Sequence, residues 1–261
     1  MASEKGDRLM YLSRIQVAPS IAEHSQLGFM LKDRSYGIHR LLWDLFTAPN
    51  RYLYREESTR EQLGSIHNLP LYYVLSETAP TAKSPIFEIE SKPFNPVLIA
   101  GDQLAFRLRA NPTVARKQNG DKKSKRHDVV MNAQRNWLIK SCEEKGLKPE
   151  GTKSQLRNLL AEHGQLQTKA LDAQLNEVMN TAALGWLEKR GSSCGFQLMS
   201  AQATGYRWHA LPEKSRAAGF SSMDYEGVLT IEEPQQFVKM MGQGLGPSKA
   251  FGCGLMLIRK I

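Results

Sequence analysis

The chain has 261 residues, 41% hydrophobic and 23% charged, with a formal net charge of +9. That length suits one large or two small globular domains; no apolar run is long enough to cross a bilayer, and no basic stretch followed by an apolar one opens the chain as a secretory signal would. Three widely separated cysteines (Cys142, Cys194 and Cys253) argue for reduced thiols in a cytoplasmic protein, against both a disulfide framework and a cysteine zinc site.

Residues 1–9 are polar, and Met10 offers a second start. Residues 10–17 alternate as a strand does. Asp33 or Ser35 is placed to cap a helix in which Ile38, Leu41, Leu42, Leu45 and Phe46 repeat at i, i+3, i+4, i+7 and i+8. Residues 51–56 and 71–76, rich in Tyr, Leu and Val, read as strands. Residues 77–96 hold four prolines and read as irregular, with 97–100 as a short closing strand. In the second half, 104–110, 195–202, 227–231 and 253–259 read as strands. Helices are expected over 132–145 and over 234–243, the latter with proline in its first turn. Each half has the order of a split βαβ unit. The expectation is an α+β protein of two tandem ferredoxin-like (RRM-like, βαββαβ) domains, 10–101 and 102–261. A helical insertion at 143–190 falls in the second. Inside it, Gly146-Leu147-Lys148 and Gly151-Thr152-Lys153-Ser154-Gln155-Leu156 resemble a SAP-type DNA-binding helix pair, and read more simply as an ordinary capped helix.

Charge is unevenly spread. Arg107, Arg109, Arg116, Lys117, Lys122, Lys123, Lys125 and Arg126 stand against Asp121 alone, so this segment holds seven of the nine net positive charges. Such a stripe is the footprint of a polyphosphate partner, or else a solvated loop; the turn at Asn119-Gly120-Asp121, which would project it, favours nucleic acid.

A second feature is the run Gly242-Gln243-Gly244-Leu245-Gly246-Pro247-Ser248-Lys249-Ala250-Phe251-Gly252-Cys253-Gly254. Successive backbone N–H groups there form a concave anion site, and Lys249 adds a mobile charge. The G-x-G-x-x-G spacing fails at Lys249 and at Pro247, and no G-K-[ST] exists. That argues against a dinucleotide or nucleoside-triphosphate enzyme. The glycines are either phosphate ligands or turn residues.

Tyr36 and His39 lie three apart on the first helix, on one face, with Arg40 beside them. A phenol, an imidazole and a guanidinium can share one phosphodiester. RNA supplies its own nucleophile, the 2′-hydroxyl, so the chemistry needs a proton acceptor, a donor and cations, and neither a metal nor a cofactor. A lone histidine beside an apolar stripe is also commonly structural. The other histidines lack ligand spacing. No RRM aromatic strand motif is present.

Taken together, these segments resemble the CasE family of CRISPR repeat-processing endoribonucleases. The resemblance is carried by Met10-Tyr11-Leu12-Ser13, Tyr36-Gly37-Ile38-His39-Arg40, Leu42-Trp43-Asp44-Leu45-Phe46 and Lys92-Pro93-Phe94. It continues through Phe106-Arg107-Leu108-Arg109-Ala110-Asn111-Pro112, Lys125-Arg126, Tyr225-Glu226-Gly227-Val228-Leu229 and the glycine loop with Gly254-Leu255-Met256. It implies metal-independent cleavage at the base of the repeat hairpin, leaving a 2′,3′-cyclic phosphate. It also implies retention of the mature crRNA and assembly with other Cascade subunits. The family's tyrosine and histidine fall on Tyr36 and His39, and an arginine that some members have falls on Arg40. Stem-gripping cations fall on Arg107, Arg109, Lys125 and Arg126, to which the stripe adds Lys122 and Lys123. Gly244, Gly246, Lys249 and Gly252 are expected on the RNA. The insertion departs from the family pattern. The alternative is an RNA-hairpin-binding subunit without catalysis.

Overall fold

The computed structural model describes residues 10–18, 34–47, 51–57, 70–81, 83–117, 124–163, 168–211 and 218–261. The N-terminal half runs β1 (Met10–Val17), α1 (Arg34–Trp43), β2 (Tyr52–Glu57), β3 (Leu71–Ser76) and β4 (Phe87–Phe94). Its sheet has the order β2-β3-β1-β4, every pair antiparallel. The C-terminal half runs β5 (Gln103–Ala110), a hairpin of β6 (Thr113–Arg116) and β7 (Lys125–Asp128), then α2 (Val129–Glu144), α3 (Lys153–His163) and α4 (Thr168–Cys194). It ends with β8 (Phe196–Ala210), β9 (Gly219–Ile231), α5 (Pro234–Gln243), a 3₁₀ turn at Lys249–Phe251 and β10 (Met256–Lys260). Its sheet order is β10-β5-β9-β8. Both sheets place the fourth strand beside the first and the third between first and second, the ferredoxin-like arrangement.

The closing strand of the first sheet differs from expectation. Residues 87–94, expected to be irregular, form β4, and 97–100 form no strand. β4 pairs only with β1, so Pro93, opposite Tyr11, sits on an edge strand where a missing N–H is tolerated. β8 and β9 run longer than expected because their outer stretches are polar and break the apolar pattern. Register shifts near Leu198/Ser200 and Thr204/Arg207 let the long ladder continue. β10 starts three residues later than expected, since Gly252 and Gly254 hold positive φ ahead of it.

The two faces of the first sheet meet different partners. Ile15, Val17, Tyr52, Tyr54, Tyr72 and Val74 pack under Ile38, Leu42 and Leu45 of α1 and its following turn. Leu53 and Leu75, on the other face by the two-residue strand period, pack on Leu255 of the C-terminal half. Both faces are thus covered, which explains why β2 and β3 are almost wholly buried. Beside this apolar contact, Arg55 pairs with Glu57 and, at 3.3 Å, with Asp224 of β9.

The helices after β7 divide their packing. Leu138, Cys142, Leu156, Leu160, Leu171 and Leu175 form a small core of their own. Ala183, Trp186 and Leu187 of α4 belong instead to the core of the second sheet, with Phe106, Leu108 and Phe237. Within 143–190, therefore, only the part before about Met179 stands apart from the sheet, and α2 stands apart with it beyond its first turn, where Val130 joins the sheet's core. The pair α2–α3 turns through Gly146 and Gly151, both at positive φ. Thr152 and Gln155 exchange side-chain and backbone hydrogen bonds, a reciprocal cap at the start of α3.

Candidate active site

Ile38 and Leu42 anchor α1 on the sheet, which turns His39 and, one helical turn on, Trp43 toward the helix flank. His39 is half-buried. The Tyr52 hydroxyl, on the strand beneath, lies 2.7 Å from His39 Nδ1 and donates to the His39 carbonyl oxygen at 2.6 Å. A phenol has one proton. With that proton on the carbonyl, the phenol oxygen accepts from Nδ1–H, and in that tautomer Nε2 is the unprotonated nitrogen of the neutral ring. Aromatic rings surround the imidazole: Tyr54 stacks on it at 6.2 Å, Tyr52 is tilted at 5.3 Å and Trp43 is edge-on at 6.2 Å. Burial lowers the His39 pKa below its usual 6.5. At neutral pH the ring is uncharged, the state a general base requires.

The glycine loop closes over the same place from the other domain. The 3₁₀ turn packs against α1 and β2. Tyr54, which stacks on His39, donates to the Ala250 carbonyl at 3.2 Å. Burial raises the Tyr54 pKa, so this phenol stays protonated. Two glycines permit the approach. A Cβ on Gly244 would stand 2.7 Å from Leu53, and one on Gly252 would stand 3.3 Å from the Tyr54 ring, each at positive φ as well. Ser248 is the only non-glycine among the described residues at positive φ, and Asn111 donates to its hydroxyl at 2.8 Å. Ser221 joins Asn111 to Asp128, the residue that caps α2 and accepts from Tyr206.

Lys249 therefore stands in the loop that meets α1. Its pKa is lowered, first by burial and then by the neighbouring charges of Arg51 and Arg126. The loop also borders a cavity of about 670 Å³ whose cations are Arg126, Arg190, Lys239 and Lys249. No carboxylate lines it among the described residues. An acid-free concave surface with four cations concentrates polyanions.

The sequence-derived residues separate into groups. His39, Gly244, Gly246, Lys249, Gly252 and Arg126 come together around the loop and groove. Lys125 is exposed on β7, opposite Arg116 in the hairpin. Lys122 and Lys123 lie outside the described residues, as does the side chain of Tyr36, whose backbone is in α1. Arg40 is exposed and borders a different cavity of about 420 Å³, with Asp44, Lys83 and Phe87. Arg107 and Arg109 are held among acids rather than in the groove. Arg109 makes two 3.0 Å bonds to Asp224, and Arg107 lies 3.7 Å from Glu57 and 3.9 Å from Glu226. Sequence reasoning missed Tyr52, Tyr54, Arg51, Arg190 and Lys239. The alternation Tyr52-Leu53-Tyr54 signals that the tyrosines share a face, but not that His39 lies on it.

The family described as CRISPR associated protein matches residues 10–175 and 161–260. The chain belongs to that family. It is 24% identical over 255 residues to the CRISPR system Cascade subunit CasE of Escherichia coli (strain K12), covering 95% of this chain and 98% of that protein. It is 28% identical over 167 residues to the CRISPR-associated endoribonuclease Cse3 of Thermus thermophilus, 64% of this chain and 60% of that one. A solved structure of Thermus thermophilus Cse3, bound to an RNA representing a pre-cleavage complex, shares the fold. Its TM-score is 0.63 at 21% identity, over 96% of this chain and 99% of that one. The resemblance to CasE read from short motifs thus extends along nearly the whole chain. Among the described residues no helix is long and apolar enough to cross a membrane.

Proposed function

We propose that this protein is an endoribonuclease that processes CRISPR precursor RNA, cutting at the base of the repeat hairpin without a metal ion. The observation that carries the reading is the neutral His39, oriented through Nδ1 by Tyr52 and adjoined by the cationic glycine loop. Nε2 of His39 takes the proton of the 2′-hydroxyl. The resulting alkoxide attacks the adjacent phosphorus, a P–O2′ bond forms and the P–O5′ bond breaks. The products are a 2′,3′-cyclic phosphate and a 5′-hydroxyl. Lys249 faces the charge that builds on the phosphorane. Its ammonium, acidified by burial and by Arg51 and Arg126, is suited to protonate the departing 5′-oxygen. The groove of Arg126, Arg190, Lys239 and Lys249 holds neighbouring phosphates, and the β6–β7 hairpin presents Arg116 and Lys125 to the stem. Double-stranded RNA is recognised there by shape and backbone.

The relatives named as a Cascade subunit and as an endoribonuclease support the same substrate and assembly: repeat hairpin in, mature crRNA held, other Cascade subunits as partners. A labelled repeat hairpin incubated with the protein in EDTA tests it. The expected outcome is one cut at the stem base with a cyclic phosphate end, abolished by a 2′-deoxy nucleotide at the cut. Strict dependence on Mg²⁺ overturns the mechanism. Tight binding with no cut leaves a hairpin-binding subunit.

A further inference from the structure

Six large apolar side chains are exposed among the described residues: Trp43, Val97, Ile99, Met199, Trp208 and Ile261. Isolated exposure of this kind is ordinary on a protein surface, so position decides which of them has a use. Trp43 alone adjoins the candidate active site. It follows His39 by one helical turn and is the last residue of α1. Its ring centroid is 6.2 Å from that of His39 and 6.2 Å from that of Tyr52. The residue is nevertheless 44% exposed. An indole that is anchored by aromatic contacts and open to solvent is a fixed flat surface beside the reacting phosphate.

A phosphodiester engaged by His39 joins two nucleotides of different kinds. The one that supplies the 2′-hydroxyl closes the stem, and its base is paired and stacked within the duplex. The one that departs through its 5′-oxygen is the first unpaired nucleotide. Unpaired bases are the ones proteins splay onto aromatic side chains, and such stacking tolerates any base because every base has a π-face. We propose that Trp43 is a stacking platform for the base of this first unpaired nucleotide, fixing the sugar–phosphate geometry at the cut. The inference rests on the reading of His39 as the base in RNA cleavage, and goes beyond it in assigning a nucleobase subsite.

The test is single-turnover cleavage of two hairpins: the natural one, and one with an abasic residue at the first unpaired position. Each is cut by the wild-type protein and by Trp43→Ala and Trp43→Phe. Stacking on one aromatic side chain corresponds to roughly 5- to 150-fold. The abasic hairpin is expected to slow the wild type within that range. Trp43→Ala should slow the natural hairpin by a similar factor and show no further loss with the abasic one, and Trp43→Phe should keep most of the rate. Wild-type protein cutting the abasic hairpin at full rate overturns the proposal, and this arm depends on no variant's folding. An abasic penalty as large in Trp43→Ala as in wild type also overturns it. A His39→Ala control separates the two readings. If that variant cuts at the wild-type rate the catalytic reading falls. If it is inactive while Trp43→Ala is normal, only the stacking subsite falls.

Discussion

Replacing Tyr52 by phenylalanine removes one oxygen that serves two partners at once. In the folded protein that hydroxyl donates to the His39 carbonyl at 2.6 Å and shares a hydrogen bond with Nδ1 at 2.7 Å. Phenylalanine keeps the ring, its contacts with Phe46 and Trp43, and its place in the core. The perturbation is therefore confined to the two hydrogen bonds. A half-buried donor or acceptor left unpaired costs about 1–3 kcal/mol. If that loss falls on the oriented imidazole, the cleavage step slows by roughly 5- to 150-fold, at about 1.4 kcal/mol per tenfold. Hairpin affinity should stay within a few-fold, since Tyr52 is buried beneath the helix. Single-turnover cleavage with the RNA saturated measures the chemical step separately from binding. Nitrogen NMR of the His39 ring reports the tautomer: hydrogen on Nδ1 in the wild type, a mixture of both forms in Tyr52→Phe. A variant that cuts at the wild-type rate with an unchanged tautomer would show that Tyr52 does not position His39, and the site would have to be reassigned.

Other outcomes follow from the same geometry. His39→Ala should reduce cleavage by roughly 10²–10⁴-fold while leaving hairpin affinity within a few-fold; survival of the rate removes His39 from the chemistry. Because burial lowers the pKa of His39, the acid limb of the single-turnover rate should lie below pH 6.5, with activity lost as pH falls through the lowered value; a limb above 6.5 contradicts the assignment. His209 is lowered by burial too, so folding stability should rise with pH up to about 6.5. In that window the unfolded chain binds protons that the folded one does not, and melting temperature against pH checks it. Replacing Arg190 and Lys239 together by glutamine should weaken hairpin binding and reduce its log–log salt slope by about one for each phosphate no longer neutralised; an unchanged slope places the RNA elsewhere. Gly252→Ala meets both positive φ and the Tyr54 ring, so melting temperature and cleavage should fall together, with a stability loss of roughly 1 kcal/mol or more, and an unchanged melting temperature refutes the packing argument.

Much of the architecture is legible in the sequence because periodicity reports which faces are covered. Strand β1, strand β3 and helix α5 start and stop where the pattern places them. β4 escapes because its sequence, FEIESKPF, is that of an edge strand, with charges and a proline interrupting the alternation. The site is less legible, for a physical reason. His39 and Lys249 are far apart in the chain, one near each end, and only the packing of two domains makes them neighbours. Tyr52 reads as a strand tyrosine until the helix above it is known. Arg107 and Arg109 show the opposite difficulty. Sequence density marks them as cations for RNA, but the residues opposite them in the β5–β9 register are Glu226 and Asp224. Local charge is visible in a sequence; the partner strand that neutralises it is not.

The position of these acids bears on how the proposed active site is held together. Neither domain carries the proposed site alone: the first gives His39 and its aromatic surround, and the second gives the glycine loop with Lys249. An apolar contact centred on Leu53, Leu75 and Leu255 helps to join them, each side chain worth roughly 1.5–3 kcal/mol when fully buried. Leu255 follows directly on the glycine loop, and Leu53 lies between Tyr52 and Tyr54. The residues that fasten the domains are thus chain neighbours of the residues that orient His39 and carry Lys249. A shift at the contact displaces the loop relative to the helix, and Gly244 meets Leu53 so closely that a Cβ there would stand 2.7 Å from it. Arg55, reaching across to Asp224, adds a directional charge pair beside the apolar patch. Asp224 in turn takes up Arg109. Arg55 thereby ties the first sheet to the second, and Arg109 is neutralised by the strand beside its own. The cationic groove is left as a strip bounded by the hairpin, α4, α5 and the loop.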